Sequence, residues 1–236
     1  MKSNNATLLV LGVSRGGTTL SSAALGSHPD IAMLDEDLHG GVFHVTGGKT
    51  GGVKLCVPNQ AELERRWHWI YTPGVSNGFF RKSLFMNKIP KSPLSIMDYL
   101  DHGPCQVVCV LRSAEDVLQS IMKRENKSLK VASYRWQRYI EIFAELKGLN
   151  HPHLLSPVYL NFDSLVQAPE QTLKALCAKI DLDFHPNMLE APQRNDRYKS
   201  KGFDASRTKK ETKHVDTSLI SMRAKELYSE LKNIAL

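Results

Sequence analysis

The stretch Leu8-Leu-Val-Leu-Gly-Val-Ser-Arg-Gly-Gly-Thr-Thr19 decides the fold of this chain. It begins as a short apolar run, which is typical of a strand buried on both faces. It then becomes a glycine-rich turn, and the residues that follow, Leu20-Ser-Ser-Ala-Ala-Leu25, are suited to a helix. Such a turn points backbone N–H groups at an anion, because glycine permits close approach and the helix N-terminus carries about half a positive charge. The stretch therefore predicts a phosphate-binding loop in an α/β protein.

The residues of this loop disfavour one large class of phosphate-binding protein. They match Gly-x-x-x-x-Gly-Lys-Ser/Thr at every position but one, because Thr18 stands where nucleotide kinases carry lysine. That lysine contacts the β- and γ-phosphates, so ordinary ATP chemistry is disfavoured. A second candidate, Gly48-Lys-Thr50, follows no apolar strand and has no matching upstream glycine. We do not interpret it as a phosphate loop.

Two more apolar runs, at 107–111 and 154–162, predict further buried strands, each followed by helical periodicity. This alternation is typical of a three-layer α/β fold with a central parallel sheet and helices on both faces. We predict a single domain over residues 1–236. Residues 40–52 hold six of the fifteen glycines, which predicts a mobile loop. The predicted helices cover about 113–124, about 131–147, a segment from Pro169 to about 180, and about 217–234.

The composition disfavours several classes of protein. A content of 42% hydrophobic and 23% charged residues is that of an ordinary globular protein. No apolar run reaches the roughly 18–20 residues of a membrane span, and no secretion signal is recognisable. We therefore expect a cytoplasmic protein without a membrane span. The four cysteines form no CxxC pair and have no metal-spaced histidines nearby, so we expect reduced core cysteines and no metal site.

The chain is basic, with 31 Lys and Arg against 24 Asp and Glu and a formal net charge of +7. Such a balance indicates an anionic partner. The segment 194–214 contains eight basic and three acidic residues, and we interpret it as a basic lid over a bound nucleotide. An acidic acceptor site or plain surface are the alternatives. Nucleic acid is disfavoured as the partner, because Phe203 is nearly the only aromatic residue in this segment.

A second candidate anion site follows the strand at 107–111. That strand ends at Arg112, and the predicted helix after it carries Ser120 and Arg124. Positions 120 and 124 are one helical turn apart and share a face. Two guanidinium groups and a hydroxyl can thus converge on one phosphate, which the fork of arginine fits geometrically.

Together, the loop Ser14-Arg-Gly-Gly-Thr-Thr-Leu20 and this strand–arginine–helix layout resemble sulfotransferases that use 3′-phosphoadenosine 5′-phosphosulfate (PAPS). The resemblance implies their P-loop-like fold, PAPS as the cofactor, and adenosine 3′,5′-bisphosphate as its product. It also implies that the loop holds the 5′-phosphosulfate and the second motif holds the 3′-phosphate. The implied cofactor-binding residues are Arg15, Gly16, Gly17, Thr18, Thr19, Arg112, Ser120 and Arg124, with Lys201 and Gly202 as weaker matches to a basic loop of the family.

The resemblance extends to candidate catalytic residues. The run Ser27-His-Pro-Asp-Ile31 followed by Asp35-Glu-Asp37 is similar to the segment that supplies the catalytic glutamate in the tyrosylprotein branch, which places Glu36 as the base. Asn87-Lys-Ile-Pro90 resembles that branch's Asn-Lys-Asp-Pro and implies that Lys88 is catalytic. Arg15 and Lys88 would stabilise the leaving phosphate. The rival bases are Asp35, Asp37, His39 and His44.

The predicted function is sulfuryl transfer from PAPS to a hydroxyl acceptor, which the sequence does not identify: a glycan, a tyrosine or a small molecule. Phe162 stands at a tyrosine position of the family, so a hydrogen bond near the cofactor would be missing. One alternative is a P-loop nucleotide kinase or other NTPase. The other is a non-catalytic nucleotide- or RNA-binding module.

Overall fold

A computed structural model of the chain describes residues 6–64, 94–194, 203 and 215–236. Within these ranges, the core of the fold is one sheet of five parallel strands in the order β2-β3-β1-β4-β5. The strands are β1 (Thr7–Gly12), β2 (Ile31–Asp35), β3 (Thr50–Cys56), β4 (Cys105–Leu111) and β5 (Val158–Asn161).

Eight helices accompany the sheet in the described part of the chain. Four of them begin after a serine whose hydroxyl accepts a first-turn N–H, which replaces a hydrogen bond that the helix cannot make for itself: Ser95, Ser113, Ser128 and Ser221. The helices are α1 (Thr18–Gly26), α2 (Ile96–His102), α3 (Ala114–Glu125), α4 (Leu129–Gly148), α5 (Phe162–Gln167), α6 (Pro169–Lys179), α7 (Ala191–Arg194) and α8 (Met222–Asn233).

The sheet buries both of its faces. Side chains alternate along each strand, so Leu9 and Leu11 join one apolar cluster while Leu8 and Val10 join another. The first cluster includes side chains of α2, α3, α4 and α8, and the second includes side chains of α1, α5 and α6. Helices thus cover a parallel sheet on both sides, and the predicted three-layer α/β class is confirmed. The four cysteines are unpaired and buried, as predicted.

Several predicted bounds were wrong. The sequence reading missed β2 and β3, and the loop assigned to 40–52 instead contains a 3₁₀ turn (Gly41–His44) and the first residues of β3. The strand requires glycine at positions 51 and 52, because a Cβ on Gly51 would collide with Val42 and a Cβ on Gly52 would collide with Met33 of β2. The strand expected over 154–162 is shorter, and the last helix begins at Met222 instead of 217.

The strand order places a binding site at one edge of the sheet. The chain moves from the central strand β1 to β2 and β3 on one side and then to β4 and β5 on the other. In open parallel sheets, ligands bind outside the carboxyl ends of the strands where the order reverses. The loop after β1 and Arg112 after β4 both lie there. Among the described residues, every helix is too short or too polar to cross a membrane.

Candidate functional site

The glycine-rich loop after β1 is tightly folded. The N–H of Gly16 donates to the carbonyl of Val13 at 2.9 Å, and Arg15 and Gly17 have φ angles of 67° and 98°. Gly17 precedes α1 and offers no side chain to cap it. The N–H groups in the first turn of a helix lack intrahelical partners. The loop therefore presents backbone donors at a positive helix end, as the sequence predicts.

Phe162 presses against this loop from the end of β5. Its ring is buried, and a Cβ on Gly17 would overlap it, so only glycine fits at that position. The Arg112 guanidinium lies over the same ring, 4.6 Å from its centre. Phe162 therefore contributes an aromatic surface that contacts both the loop and an arginine. The sequence comparison noted only that Phe162 lacks the hydroxyl of a tyrosine and did not predict these contacts.

Arg112 is held against the loop. Its Nη1 donates to the carbonyl of Arg15 at 3.1 Å, and its Nε lies 3.7 Å from the Asp116 carboxylate. Only 14% of the side chain is exposed, and burial lowers the pKa of the guanidinium, while Asp116 and Asp163 oppose that effect. Its Nε is buried without a hydrogen-bond partner among the described residues. A buried donor left in this way is costly unless a ligand satisfies it.

The other predicted phosphate ligands lie close by. The Nε of Arg15 donates to the Ser120 hydroxyl at 3.4 Å, across 105 residues of sequence. The structure thus brings the loop, Arg112 and Ser120 together, as the spacing predicts. Arg124 is exposed one turn farther along α3.

Two aromatic residues of α4 hold the end of β4. The carbonyl of Arg112 accepts hydrogen bonds from the Trp136 indole at 3.2 Å and from the Tyr139 hydroxyl at 3.0 Å. Both side chains are buried. The sequence identified them only as the apolar face of a helix; their polar ends, which fix the backbone of Arg112, gave no separate signal.

An acidic pair lies at the carboxyl end of β2, around a buried lysine of β3 that the sequence reading missed. The Lys54 ammonium is 2.7 Å from Asp35 and 2.8 Å from Glu36, and its side chain is 1% exposed. Burial lowers the pKa of Lys54, but its hydrogen bonds to Asp35 and Glu36 together with nearby negative charge outweigh that effect, so the pKa is raised overall. The available signal was a lysine inside the apolar run Val53-Lys-Leu-Cys-Val57.

This acidic cluster adjoins the loop. Lys54 pairs with Val10 of β1 and with Asp35 of β2 in the sheet register, and Val57 donates its N–H to Gly12 at 2.9 Å. Cys56 lies next to α1: burial raises the pKa of its thiol, which a hydrogen bond with Thr18 partly offsets. The candidate base and the candidate phosphate loop thus belong to one site.

The structure also shows the surroundings of three rival bases, Asp37, His39 and His44. The Asp37 carboxylate accepts backbone N–H groups from His39 at 3.2 Å and from Val42 at 2.9 Å, so it caps a turn. His39 and His44 are exposed. Lys88, Lys201 and Gly202 lie outside the described residues, as does most of the predicted lid. Of that segment the structure describes Phe203, which packs against the α1 side of the core, and the backbone of Arg194.

Comparisons with known proteins agree with this geometry. Over 211 residues, the chain is 22% identical to a Caenorhabditis briggsae protein named as a protein-tyrosine sulfotransferase, covering 77% of this chain and 68% of that protein. The sulfotransferase domain of the Synechococcus PCC 7002 olefin synthase superimposes with a TM-score of 0.61 at 14% identity, over 97% of this chain and 94% of that domain. The sulfotransferase domain of the curacin biosynthetic pathway also gives 0.61, at 13% identity, with coverages of 97% and 98%. No protein-family model matches.

These findings confirm the resemblance to sulfotransferases, and the fold is that of sulfotransferase domains. They support sulfotransferase function at this coarse level. In the parts of the chain that the structure describes, no cluster of His, Cys, Asp and Glu could hold a metal ion.

Proposed function

We propose that this protein transfers the sulfuryl group of PAPS to a hydroxyl acceptor. One observation carries the proposal: two arginines, a serine hydroxyl and the uncapped start of α1 meet beside a glycine loop. One of those arginines, Arg112, keeps a buried Nε that makes no hydrogen bond among the described residues, although the Asp116 carboxylate lies 3.7 Å from it. Such a donor set fits a nucleotide with phosphates at both its 5′ and 3′ ends.

Each phosphate end has its own set of residues in this proposal. Arg15, Gly16, Gly17, Thr18 and Thr19 hold the 5′-phosphosulfate through backbone amides, hydroxyls and one guanidinium. Arg112, Ser120 and Arg124 hold the 3′-phosphate. Lys201, Gly202 and the segment 194–214 close over the nucleotide as a basic lid.

The reaction resembles phosphoryl transfer, with in-line attack and charge that accumulates on the leaving oxygen. Glu36 takes the proton from the acceptor hydroxyl while the oxygen of that hydroxyl bonds to sulfur. The bond from sulfur to the phosphate oxygen breaks, and that oxygen keeps the electron pair. Arg15, Lys88 and the loop amides stabilise the resulting charge, and the products are a sulfate ester and adenosine 3′,5′-bisphosphate.

The class of acceptor is a hydroxyl compound, and the relative named as a protein-tyrosine sulfotransferase makes tyrosine the first one to test. Acceptor pockets are built from loops that differ between proteins with one fold, so glycans and small alcohols belong in the same trial.

Ligand-induced thermal shifts test the proposal. Adenosine 3′,5′-bisphosphate should raise the unfolding temperature, whereas Mg-ATP and a single-stranded oligonucleotide should not. Transfer of radiolabelled sulfuryl from PAPS to a tyrosine peptide, an oligosaccharide and a small phenol then tests turnover. Stabilisation by Mg-ATP but not by the bisphosphate would indicate a kinase or NTPase, and stabilisation by the oligonucleotide alone would indicate a nucleic-acid-binding module.

A further inference from the structure

A fully buried lysine is unusual, since an ammonium group leaves water at high cost unless it is paired. Lys54 lies in the middle of the sheet between β1 and β2, and its Nζ contacts two carboxylates at 2.7 and 2.8 Å. Those two carboxylates belong to Glu36, which is the proposed base, and to its neighbour Asp35.

We propose that Lys54 is a positioning residue that holds the Glu36 carboxylate at the place where it takes the acceptor proton. This inference rests on the proposed function. It assigns to Lys54 a role exerted through Glu36, without contact between its own ammonium and the acceptor.

The different exposure of the two partners separates their roles. The Glu36 side chain is 32% exposed, so an acceptor can reach its carboxylate, whereas Lys54 is 1% exposed. A group that touches the acceptor must be accessible to it, and a group that orients another need not be. An accessible carboxylate can therefore act on the substrate, and the buried ammonium fixes where it lies; Asp35 is also accessible, at 42%, and the variants below distinguish it from Glu36.

The backbone holds Glu36 from the other end. Glu36 has a φ of 58°, a left-handed conformation that few residues other than glycine adopt, and its N–H donates to the carbonyl of Lys54 at 3.0 Å. One residue of β3 thus fixes both the main chain and the carboxylate of Glu36. Asp35, directly beside Lys54 in the register, supplies a second counter-charge that keeps the buried ammonium paired.

A kinetic double-mutant cycle tests this role with Lys54→Met, Glu36→Gln and the double variant. Methionine keeps the length of the lysine stem, and a buried ion pair can often be replaced by an apolar side chain without loss of folding. We expect Lys54→Met to lower kcat about 10- to 100-fold, as supporting residues around a site typically do, with bisphosphate affinity changed by less than about twofold. In the Glu36→Gln background the same substitution should lower kcat by less than about twofold more, because residues that act as a unit are not additive.

Two further variants keep the test decisive. Lys174→Met is the matched control, because Lys174 pairs with Glu170 on the exposed face of α6, far along the chain from the site; its kcat should stay unchanged. Asp35→Asn leaves the bond between Lys54 and Glu36 in place and tests the rival base, so its kcat should stay well above that of Glu36→Gln, a comparison that does not depend on the folding of Lys54→Met. A loss with Asp35→Asn as large as that with Glu36→Gln would overturn the assignment.

The outcomes also separate this inference from the proposed function. Unsubstituted protein that transfers no sulfuryl group to any hydroxyl acceptor would overturn both. Turnover that is normal in Lys54→Met would overturn only the inference. A Lys54→Met defect that persists in full in the Glu36→Gln background would also overturn it, since Lys54 would then act independently of Glu36.

Discussion

At the scale of single residues, Arg112 is held by contacts on several sides. Its guanidinium contacts the Phe162 ring and the carbonyl of Arg15, and its buried Nε lies 3.7 Å from the Asp116 carboxylate but makes no hydrogen bond among the described residues. These contacts fix the guanidinium before any ligand arrives. A preorganised donor loses little conformational freedom on binding, so it contributes more of its interaction energy to affinity.

The first prediction is that Arg112→Ala raises the Kd for adenosine 3′,5′-bisphosphate about 100-fold. Two charge-assisted hydrogen bonds would account for roughly 3 kcal/mol, at the low end of about 1.5–3 kcal/mol for each. Isothermal titration calorimetry measures the change. Arg223→Ala removes the same charge from an exposed position in the first turn of α8 and should leave Kd unchanged. A Kd within threefold of the original in Arg112→Ala would contradict this role.

Asp163 gives a second prediction at this scale. Burial raises the pKa of its carboxyl above 3.8 and the nearby Asp116 raises it further, while Arg112 and Lys232 oppose the shift. A raised pKa means that the folded state binds the proton more tightly than the unfolded state. The ionised carboxylate therefore destabilises the fold, and its cost develops as pH rises from about 3.8 through the folded pKa.

We expect Asp163→Asn to gain stability relative to the unsubstituted protein across that pH window and to keep a constant advantage above it. Urea unfolding between about pH 3.5 and pH 7 measures the difference in the free energy of unfolding. Asp30→Asn makes the same change of charge at an exposed position and is the control for the loss of one negative charge. An Asp163→Asn advantage that shrinks as pH rises would have the wrong sign for this account.

At the scale of secondary-structure elements, the site depends on how α4 docks against the end of β4. The Trp136 indole and the Tyr139 hydroxyl both donate to the carbonyl of Arg112, which lies 24 and 27 residues away along the chain, respectively. The helix therefore supports the backbone of Arg112, the proposed phosphate ligand, in addition to filling the core.

The third prediction is that Tyr139→Phe costs about 1–2 kcal/mol of stability, because the hydroxyl donates to the carbonyl of Arg112 at 3.0 Å and accepts from its N–H at 3.4 Å, and both bonds are lost while the Trp136 bond remains. Because the backbone at Arg112 loosens, bisphosphate affinity should fall about three- to tenfold. Tyr159→Phe is the control: its buried hydroxyl donates to the carbonyl of Phe143 at 3.1 Å, away from Arg112. Urea unfolding should show a loss of stability in the control, calorimetry should show that its affinity is intact, and equal affinity losses in both variants would contradict the argument.

The same scale shows how much the sequence could predict. The strands β1 and β4 were found because both their faces are buried and their runs are nearly all apolar. The strand β2 lies at the sheet edge with most residues half-buried, and β3 begins with two glycines and contains Lys54. The apolar residues of β2 are only the four from Ile31 to Leu34, and Lys54 interrupts the apolar run of β3, so both signals are shorter than those of β1 and β4 and the sequence-based prediction missed them.

The candidate site was also predictable only in part. Local spacing predicted the loop and the relation between Arg112 and Ser120, because a strand end followed by a helix fixes the distances between neighbouring positions. Contacts between distant segments were not predictable in this way. The stacking of Arg112 on Phe162 and the pairing of Lys54 with Glu36 depend on which strands lie side by side, and the sheet order had not been deduced.

At the scale of the whole molecule, the sheet order is what assembles the site. The central position of β1 places its loop between the ends of β3 and β4, so the acidic cluster lies on one side and Arg112 on the other. In the proposed function, the base and the cationic phosphate ligands therefore flank one loop. This separation lets binding and proton transfer be altered independently.

The fourth prediction uses that separation. At a bisphosphate concentration of about 100 times Kd, binding adds about 2.7 kcal/mol to stability, which for a chain of this size corresponds to a rise in Tm of roughly 5–10 °C. At the same concentration, Arg112→Ala with a 100-fold weaker Kd should gain only about 0.4 kcal/mol and a rise of roughly 1–2 °C. Glu36→Gln should keep the full rise and lose turnover, because its carboxylate serves the acceptor and leaves the nucleotide ligands intact. Differential scanning fluorimetry with a parallel transfer assay measures both quantities, and a Glu36→Gln variant that loses the thermal shift together with turnover would show that the acidic cluster binds the nucleotide instead of acting on the acceptor.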